Sequence, residues 1–372
     1  MTLNIRIHNS GYNNDQLVID AIEWQRQTRG VTWAGGLGRY DGHRNFKQIR
    51  FWDEAPSIDT VVLGSSTVMT LGNDSFQNIS GIYNLASNSQ NLSVTLDQAK
   101  YILDNAPSIK VIIVPIDWAL GFVFYDLALS PGFDMSALAS RSALNKIGNE
   151  TIDWSLIKDS ISLSKVKNLM QTLTRAIVSD DPFGELYSIF ISPEGNDYRC
   201  PDGSLARDFD LAYRGMCLGF YADGSSSMRN FGRIIAEDRQ QFILEQVRNT
   251  EVSYVAHLRE SRGLPNRSFL EALAKLRGQA VLKAREIIFI LPPLMPGVEL
   301  AILQREDVGP YLRALKDEIK KWQGQNELSI IDAGASEKYG CSYDEFLDAH
   351  HAYRSCYRKI FGPFSSSFTP SG

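Results

Sequence analysis

Two short segments, far apart in the chain, carry the residue types that together activate an alcohol. Gly64-Ser65-Ser66 follows an apolar run, and Asp348-Ala349-His350-His351 lies near the other end of the 372 residues. A serine hydroxyl is a poor nucleophile at neutral pH until an imidazole takes its proton. A carboxylate beside that imidazole fixes the tautomer that accepts the proton and stabilises the charged ring. If the second segment turns helically, Asp348 and His351 share a face, and Asp348 and His350 do not. The spacing therefore predicts Ser66 as nucleophile, His351 as general base and Asp348 as its orienting acid, with His350 left as a neighbour or substrate contact. The chemistry would be acyl transfer.

Further positions bear on that chemistry. In Tyr83-Asn84-Leu85-Ala86-Ser87-Asn88-Ser89-Gln90 small residues allow close backbone approach to a ligand. Asn84 can tie down the serine turn, and the Ser89 N–H can act as a second oxyanion donor. Asp117, just past Val114-Pro115-Ile116, is a carboxylate at a strand's carboxyl end, suited either to a site or to capping. Each piece also has a plainer reading: Ser65 or Ser66 as a helix cap, the Asn84 stretch as an ordinary loop, Asp348 and His351 as a solvated helix start. Of the five histidines, His8, His43 and His257 have no acidic partner at a suggestive spacing and read as surface residues.

Such residues need a scaffold that gathers strand ends. Short β-branched runs bounded by turn residues, Thr60–Leu63, Ile82–Leu85, Val111–Pro115, Ile287–Leu291 and Leu328–Ile331, read as buried parallel strands. Between them, Val94–Asp104 places Leu96, Ala99 and Ile102 on one face, and Phe269–Leu282 and Val308–Trp322 repeat the pattern. A short helix over Thr67–Leu71 is expected to follow the serine. Alternating strands and helices predict a doubly wound α/β sheet, at whose strand carboxyl ends ligands bind. Residues 1–55 read as an irregular or helical lead-in, and residues 56–362 as the α/β domain. A long insertion runs from about 122 to 248, a cap over the site by position, and 363–372 form a flexible tail.

Composition narrows the class. Hydrophobic residues make up 44% and charged residues 22%, ordinary values for a globular protein, and the net charge of −5 is spread without a basic stripe, so nucleic acid is not an expected partner. Residues 1–27 are polar with no signal-peptide core. The longest apolar stretch, Val111–Phe124, is broken by Pro115 and Asp117 and is too short to span a bilayer. Cys200, Cys217, Cys341 and Cys356 fall in two local pairs without zinc-ligand spacing. They fit two disulfides in an oxidising compartment or four buried thiols in a reducing one. The aromatic run Trp118–Tyr125 reads as core, with a lipase-type hydrolase as the weaker alternative.

Serine after the first strand, a small polar turn after the second, and an acid–histidine pair at the end: in this order the chain resembles the SGNH hydrolase superfamily. Gly64-Ser65-Ser66 is similar to the Gly-Ser-Ser or Gly-Thr-Ser variant of its first block, found in the branch of the periplasmic alginate O-acetylation proteins and the D-alanyl transfer protein of teichoic-acid modification. Asn45-Phe46-Lys47-Gln48-Ile49-Arg50, Ile287–Pro293, and Phe346–His351 leading to Ile360-Phe361-Gly362 resemble the same branch, so the likeness covers roughly residues 45–120 and 265–362. It implies a flavodoxin-like three-layer α/β sandwich with a central, mostly parallel sheet. It also implies O-acyl, chiefly O-acetyl, transfer to or removal from a cell-envelope or extracellular glycan through an acyl-serine, with no metal or organic cofactor. The implied setting is periplasmic or extracytoplasmic, beside a membrane-bound acyltransferase. Two departures stand out: Ser89 occupies the place of the oxyanion glycine, and the third-block asparagine is absent, with Asp117 nearby. They support an alternative, a catalytically inactive relative that binds polysaccharide and scaffolds the membrane acyltransferase.

Overall fold

The structure is a computed structural model that describes residues 14–33, 40–76, 81–87, 90, 92–116, 197–209, 217, 219–227, 245, 246, 248, 250, 254–326 and 328–362. In chain order its regular elements are α1 (Asn14–Thr28), β1 (Val31–Trp33), α2 (Tyr40–Glu54), β2 (Thr60–Val62), β3 (Ile82–Asn84), α3 (Leu92–Asn105), β4 (Val111–Pro115), β5 (Tyr198–Arg199), β6 (Leu205–Asp208), α4 (Ala256–Ser261), α5 (Arg267–Leu282), β7 (Glu286–Leu291), α6 (Val298–Leu303), α7 (Gly309–Asn326), β8 (Ser329–Asp332) and α8 (Arg354–Phe361). They divide into two compact units, Met1–Arg50 with Ser136–Ala222, and Phe51–Met135 with Asp223–Gly372.

In the first unit β1 pairs in parallel with β6, and β6 antiparallel with β5. Val31, Ala206 and the Cys200–Cys217 disulfide form its small core. The Gln25 amide, fully buried, donates to Gly30 O and Phe220 O, both at 2.9 Å, and its oxygen accepts from Arg50 Nε at 3.1 Å. The expected lead-in over residues 1–55 is therefore partly regular: α1, β1 and most of α2 belong to this unit.

The second unit holds an all-parallel five-stranded sheet in the order β3-β2-β4-β7-β8, flanked by helices, the strand order of a flavodoxin-like α/β fold. All five strands begin and end within one residue of the sequence expectation. The inner strands are apolar throughout because both faces are covered: every residue of β2 and β4 is buried, as are the last five of β7. Edge strand β8 is more exposed and ends on Asp332. The other edge, β3, is buried because the segment after Ala222 covers it: Asn84 N–H donates to Asp223 O at 2.8 Å, and Gly224 lies so close that a Cβ there would come within 2.4 Å of Asn84 O.

Helices α3 and α5 pack against each other, and α5 against β7. The predicted face of α3, Leu96, Ala99 and Ile102, is buried together with Leu103. Helix α5 starts at a cap in which Asn266 Oδ1 accepts from Phe269 N–H at 3.3 Å, and buries Phe269, Leu270, Leu273, Leu276 and Ala280. Among the described residues, the chain after Pro115 next joins this sheet at Glu286. Most of the expected insertion over 122–248, the run Trp118–Tyr125 and the tail 363–372 lie outside the described residues. Among the described residues no helix is long and apolar enough to cross a membrane.

Candidate active site

Strand β2 lies between β3 and β4, where the strand order reverses, and its carboxyl end is the crevice at which open α/β sheets bind ligands. Ser66 stands three residues beyond Leu63, past a turn that the sequence builds closely. Gly64 has φ +121°, and a Cβ there would come within 2.1 Å of Pro115 Cγ. Glycine is required twice over, by conformation and by space. Ser65 takes the capping role: its Oγ accepts from Thr67 N–H and lies 3.0 Å from Thr67 Oγ1. The two serines thus divide the duties that the sequence left open, and the Ser66 hydroxyl is not used as a cap. The expected helix over Thr67–Leu71 is instead a short 3-10 turn, Ser66–Val68, followed by a turn in which Leu71 N–H donates to Val68 O at 3.1 Å and which is also fastened from outside.

That fastening is done largely by Asn84. Its side chain is fully buried, and Nδ2 donates to Val68 O at 2.8 Å and Leu71 O at 2.7 Å while Oδ1 accepts from Ala86 N–H at 2.9 Å. Both of its donors are engaged, so Asn84 holds the serine turn and has no N–H left for an oxyanion. Ser87 N–H donates to Gly64 O at 2.9 Å, which locks the turns after β2 and β3 together. Among the described residues no acceptor takes the Ser66 N–H, which leaves it available to an oxyanion. Ser89 and Asp117 lie outside the described residues.

The acid–histidine segment is not helical. It is a closed loop: Phe346 and Ala352 bridge across it, and Leu347 N–H donates to His351 O at 2.9 Å. Asp348 shapes it from within. Its Oδ1 accepts from the backbone N–H of His350 at 2.9 Å and of His351 at 3.0 Å, which turns its Oδ2 to His351 Nδ1 at 2.7 Å. Nε2 of His351 then lies 2.8 Å from Ser66 Oγ, across 285 positions of sequence. It is His351 and not His350 that meets Ser66, for a reason other than the helical spacing used to choose it.

Several contacts hold the two halves together. Thr70 Oγ1 donates to Ala352 O at 2.6 Å, and Tyr357 OH donates to Thr67 O. The Cys341–Cys356 disulfide clips the loop's base to α8. Neither threonine nor tyrosine carried a sequence signal, since a hydroxyl bond to a distant carbonyl leaves no periodicity.

Burial opposes the charge on Asp348, but the hydrogen bond and charge of His351, together with His350, outweigh it and hold the carboxyl well below the usual carboxylate range. Asp348 therefore stays ionised and acceptor-only beside the imidazole. His350 is the reverse: burial first, then the neighbouring His351, lower it to about 4 against the pull of Asp348. Its ring lies 4.1 Å from that of His351 and 5.6 Å from Tyr254. His257, expected at the surface, is half-buried with Glu260 at 3.8 Å.

Asp348, His350 and His351 lie close enough to share an ion, with ligand atoms within 4.8 Å of one another. Both nitrogens of His351 and both oxygens of Asp348 are already engaged in hydrogen bonds, so a metal would have to break the Ser66–His351–Asp348 chain. The arrangement suits proton transfer rather than metal ligation. No protein-family model and no curated protein matches the chain.

Proposed function

We propose that the protein is a serine-dependent acyl-transfer enzyme of SGNH type, an esterase or O-acyltransferase acting on an O-acylated, chiefly O-acetylated, envelope or extracellular glycan. The observation that carries this reading is the unbroken line of hydrogen bonds from Ser66 Oγ through His351 to Asp348 at the switch point of a parallel sheet. Ser66 attacks the ester carbonyl carbon while Nε2 of His351 accepts its proton. Asp348 Oδ2 receives Nδ1–H, which fixes the reactive tautomer and stabilises the imidazolium. The carbonyl oxygen, now an anion, meets the Ser66 N–H. The C–O bond to the leaving alcohol breaks, His351 returns the proton to that alcohol, and an acyl-serine remains. Water or a sugar hydroxyl, deprotonated by the same nitrogen, attacks in turn and frees Ser66.

The resemblance of the serine turn and the acid–histidine segment to the alginate O-acetylation and D-alanyl transfer branch supports a glycan acceptor. The two disulfides support an extracytoplasmic setting, where thiols oxidise and where a membrane-bound acyltransferase would supply the group. The test is acetate release or transfer from an acetylated sugar or a nitrophenyl ester. Turnover that disappears in Ser66→Ala is expected. Polysaccharide binding without turnover, unchanged in Ser66→Ala, would replace this reading with the inactive scaffold.

A further inference from the structure

Ala349, between the acid and the two histidines, has both backbone groups tied to chain outside its loop. Its carbonyl accepts from Met295 N–H at 2.9 Å, just past the prolines that end β7. Its N–H donates to Oε1 of Gln246 at 3.1 Å, a buried side chain on a helical stretch of the long segment between β4 and β7. Ala349 itself is buried. Nearby on the same segment, Tyr254 packs its ring on His350, which in turn lies against His351.

The two ties differ in origin. The Met295 tie comes from the segment that directly follows β7, whereas Gln246 belongs to the chain inserted between β4 and β7. We infer that Gln246 is a positioning residue for the acid–base pair: its amide oxygen holds the Ala349 N–H and thereby sets the loop whose curvature aims Asp348 Oδ2 and His351 Nε2. This rests on the acyl-transfer reading. Asp348 Oδ1 can accept from the N–H of both His350 and His351 only while residues 348–351 keep their tight turn, and Ala349 is the residue within that turn held from outside. If the glutamine oxygen is removed, the buried N–H loses this acceptor, the turn opens to find another, and Nε2 drifts from Ser66. Displacements of that size cost up to about 10²-fold in rate. No spacing in the sequence signals a glutamine about a hundred positions from the residues it serves.

The test compares Gln246→Leu, which keeps the volume and loses the acceptor, with Gln246→Glu, which keeps an oxygen at the same place. The readout is the pH profile of Ser66 phosphonylation by a small fluorophosphonate, with the Ala349 amide exchange rate in the wild-type protein. The expected result is a slowing of up to about 10²-fold in Gln246→Leu with a displaced pH profile, near-wild-type behaviour in Gln246→Glu, and a protected Ala349 amide. Wild-type rate and profile in Gln246→Leu, or equal loss in both variants, would overturn the inference. Should Gln246→Leu not fold, the amide decides: exchange at the rate of an open backbone in the wild-type protein would overturn it. If wild-type Ser66 takes no label at all, it is the acyl-transfer reading that fails, and the amide exchange still reports on the Gln246 tie by itself.

Discussion

Gly64 and Pro115 stand so close that no side chain fits between them: a Cβ on residue 64 would come within 2.1 Å of Pro115 Cγ, and the glycine φ of +121° already disfavours one. The last residue of β4 thus shapes the turn that presents Ser66 after β2. Replacing Gly64 by alanine forces either the proline or the serine turn to move. Overpacking and a strained φ together cost roughly 2–5 kcal/mol. Urea denaturation should show that loss, and the surviving folded fraction should react slowly at Ser66. Wild-type stability in Gly64→Ala would mean that the turn tolerates more freedom than its geometry implies.

His350 makes stability depend on pH in a defined direction. Its folded value, lowered by burial and His351 to about 4 from 6.5, means that the unfolded chain binds this proton more readily than the native one. Stability contributed by the neutral ring is complete above pH 6.5 and is lost as the pH falls toward 4. The loss is of order 2–3 kcal/mol. Asp348, whose carboxyl is held well below its ordinary range, keeps its charge through that window and adds its own loss only at lower pH. Denaturant unfolding at pH 7 and pH 4.5 should therefore show a drop in the wild-type protein that is smaller in His350→Gln. An equal drop in both would assign the acid sensitivity to other groups.

The Cys341–Cys356 bond closes a loop that contains Asp348, His350 and His351. Thiol titration of the native oxidised protein should find no free cysteine, because all four are paired. Replacing Cys341 and Cys356 by serine removes a cross-link over 15 positions, worth about 3 kcal/mol in the chain-entropy account. The loop then keeps only the Lys359 bonds to Gly340 O and Glu345 Oε2 as ties from the body of α8, so the Ser66 reaction should slow as well as the protein weaken. A variant destabilised to that degree but reacting at the wild-type rate would show that the hydrogen bonds from Thr70, Tyr357 and Lys359 suffice to hold the loop.

How much of this was legible in the sequence follows from whether a contact is local. Strands β2, β4 and β7 showed themselves because inner strands of a parallel sheet must be apolar on both faces. Edge β3 did so because chain after Ala222 covers it, and edge β8, more exposed, through Ile330 and Ile331. Gly64, Ser66, Asp348 and His351 showed themselves through residue type and order. Their reasons did not: the glycine answers to Pro115, and the acid reaches the histidine through a closed loop, not a helical turn. The helix expected over Thr67–Leu71 is only a short 3-10 turn, and Asn84, from the next strand, supports the chain after it by donating to the carbonyls of Val68 and Leu71. Gln246, Thr70 and Tyr357 were invisible, since each acts through a single bond to backbone far away in sequence.

The central claim is that Ser66 is a nucleophile activated by His351. It is tested most directly by incubating the wild-type protein, Ser66→Ala, His351→Ala and Asp348→Asn with a fluorophosphonate and locating the adduct by mass spectrometry. The predicted result is a single adduct on Ser66. It should be absent in Ser66→Ala, nearly absent in His351→Ala, and slowed by on the order of 10⁴-fold in Asp348→Asn, where the wrong imidazole tautomer is favoured. An adduct on another residue, or labelling that persists unchanged without the Ser66 hydroxyl, would contradict the account.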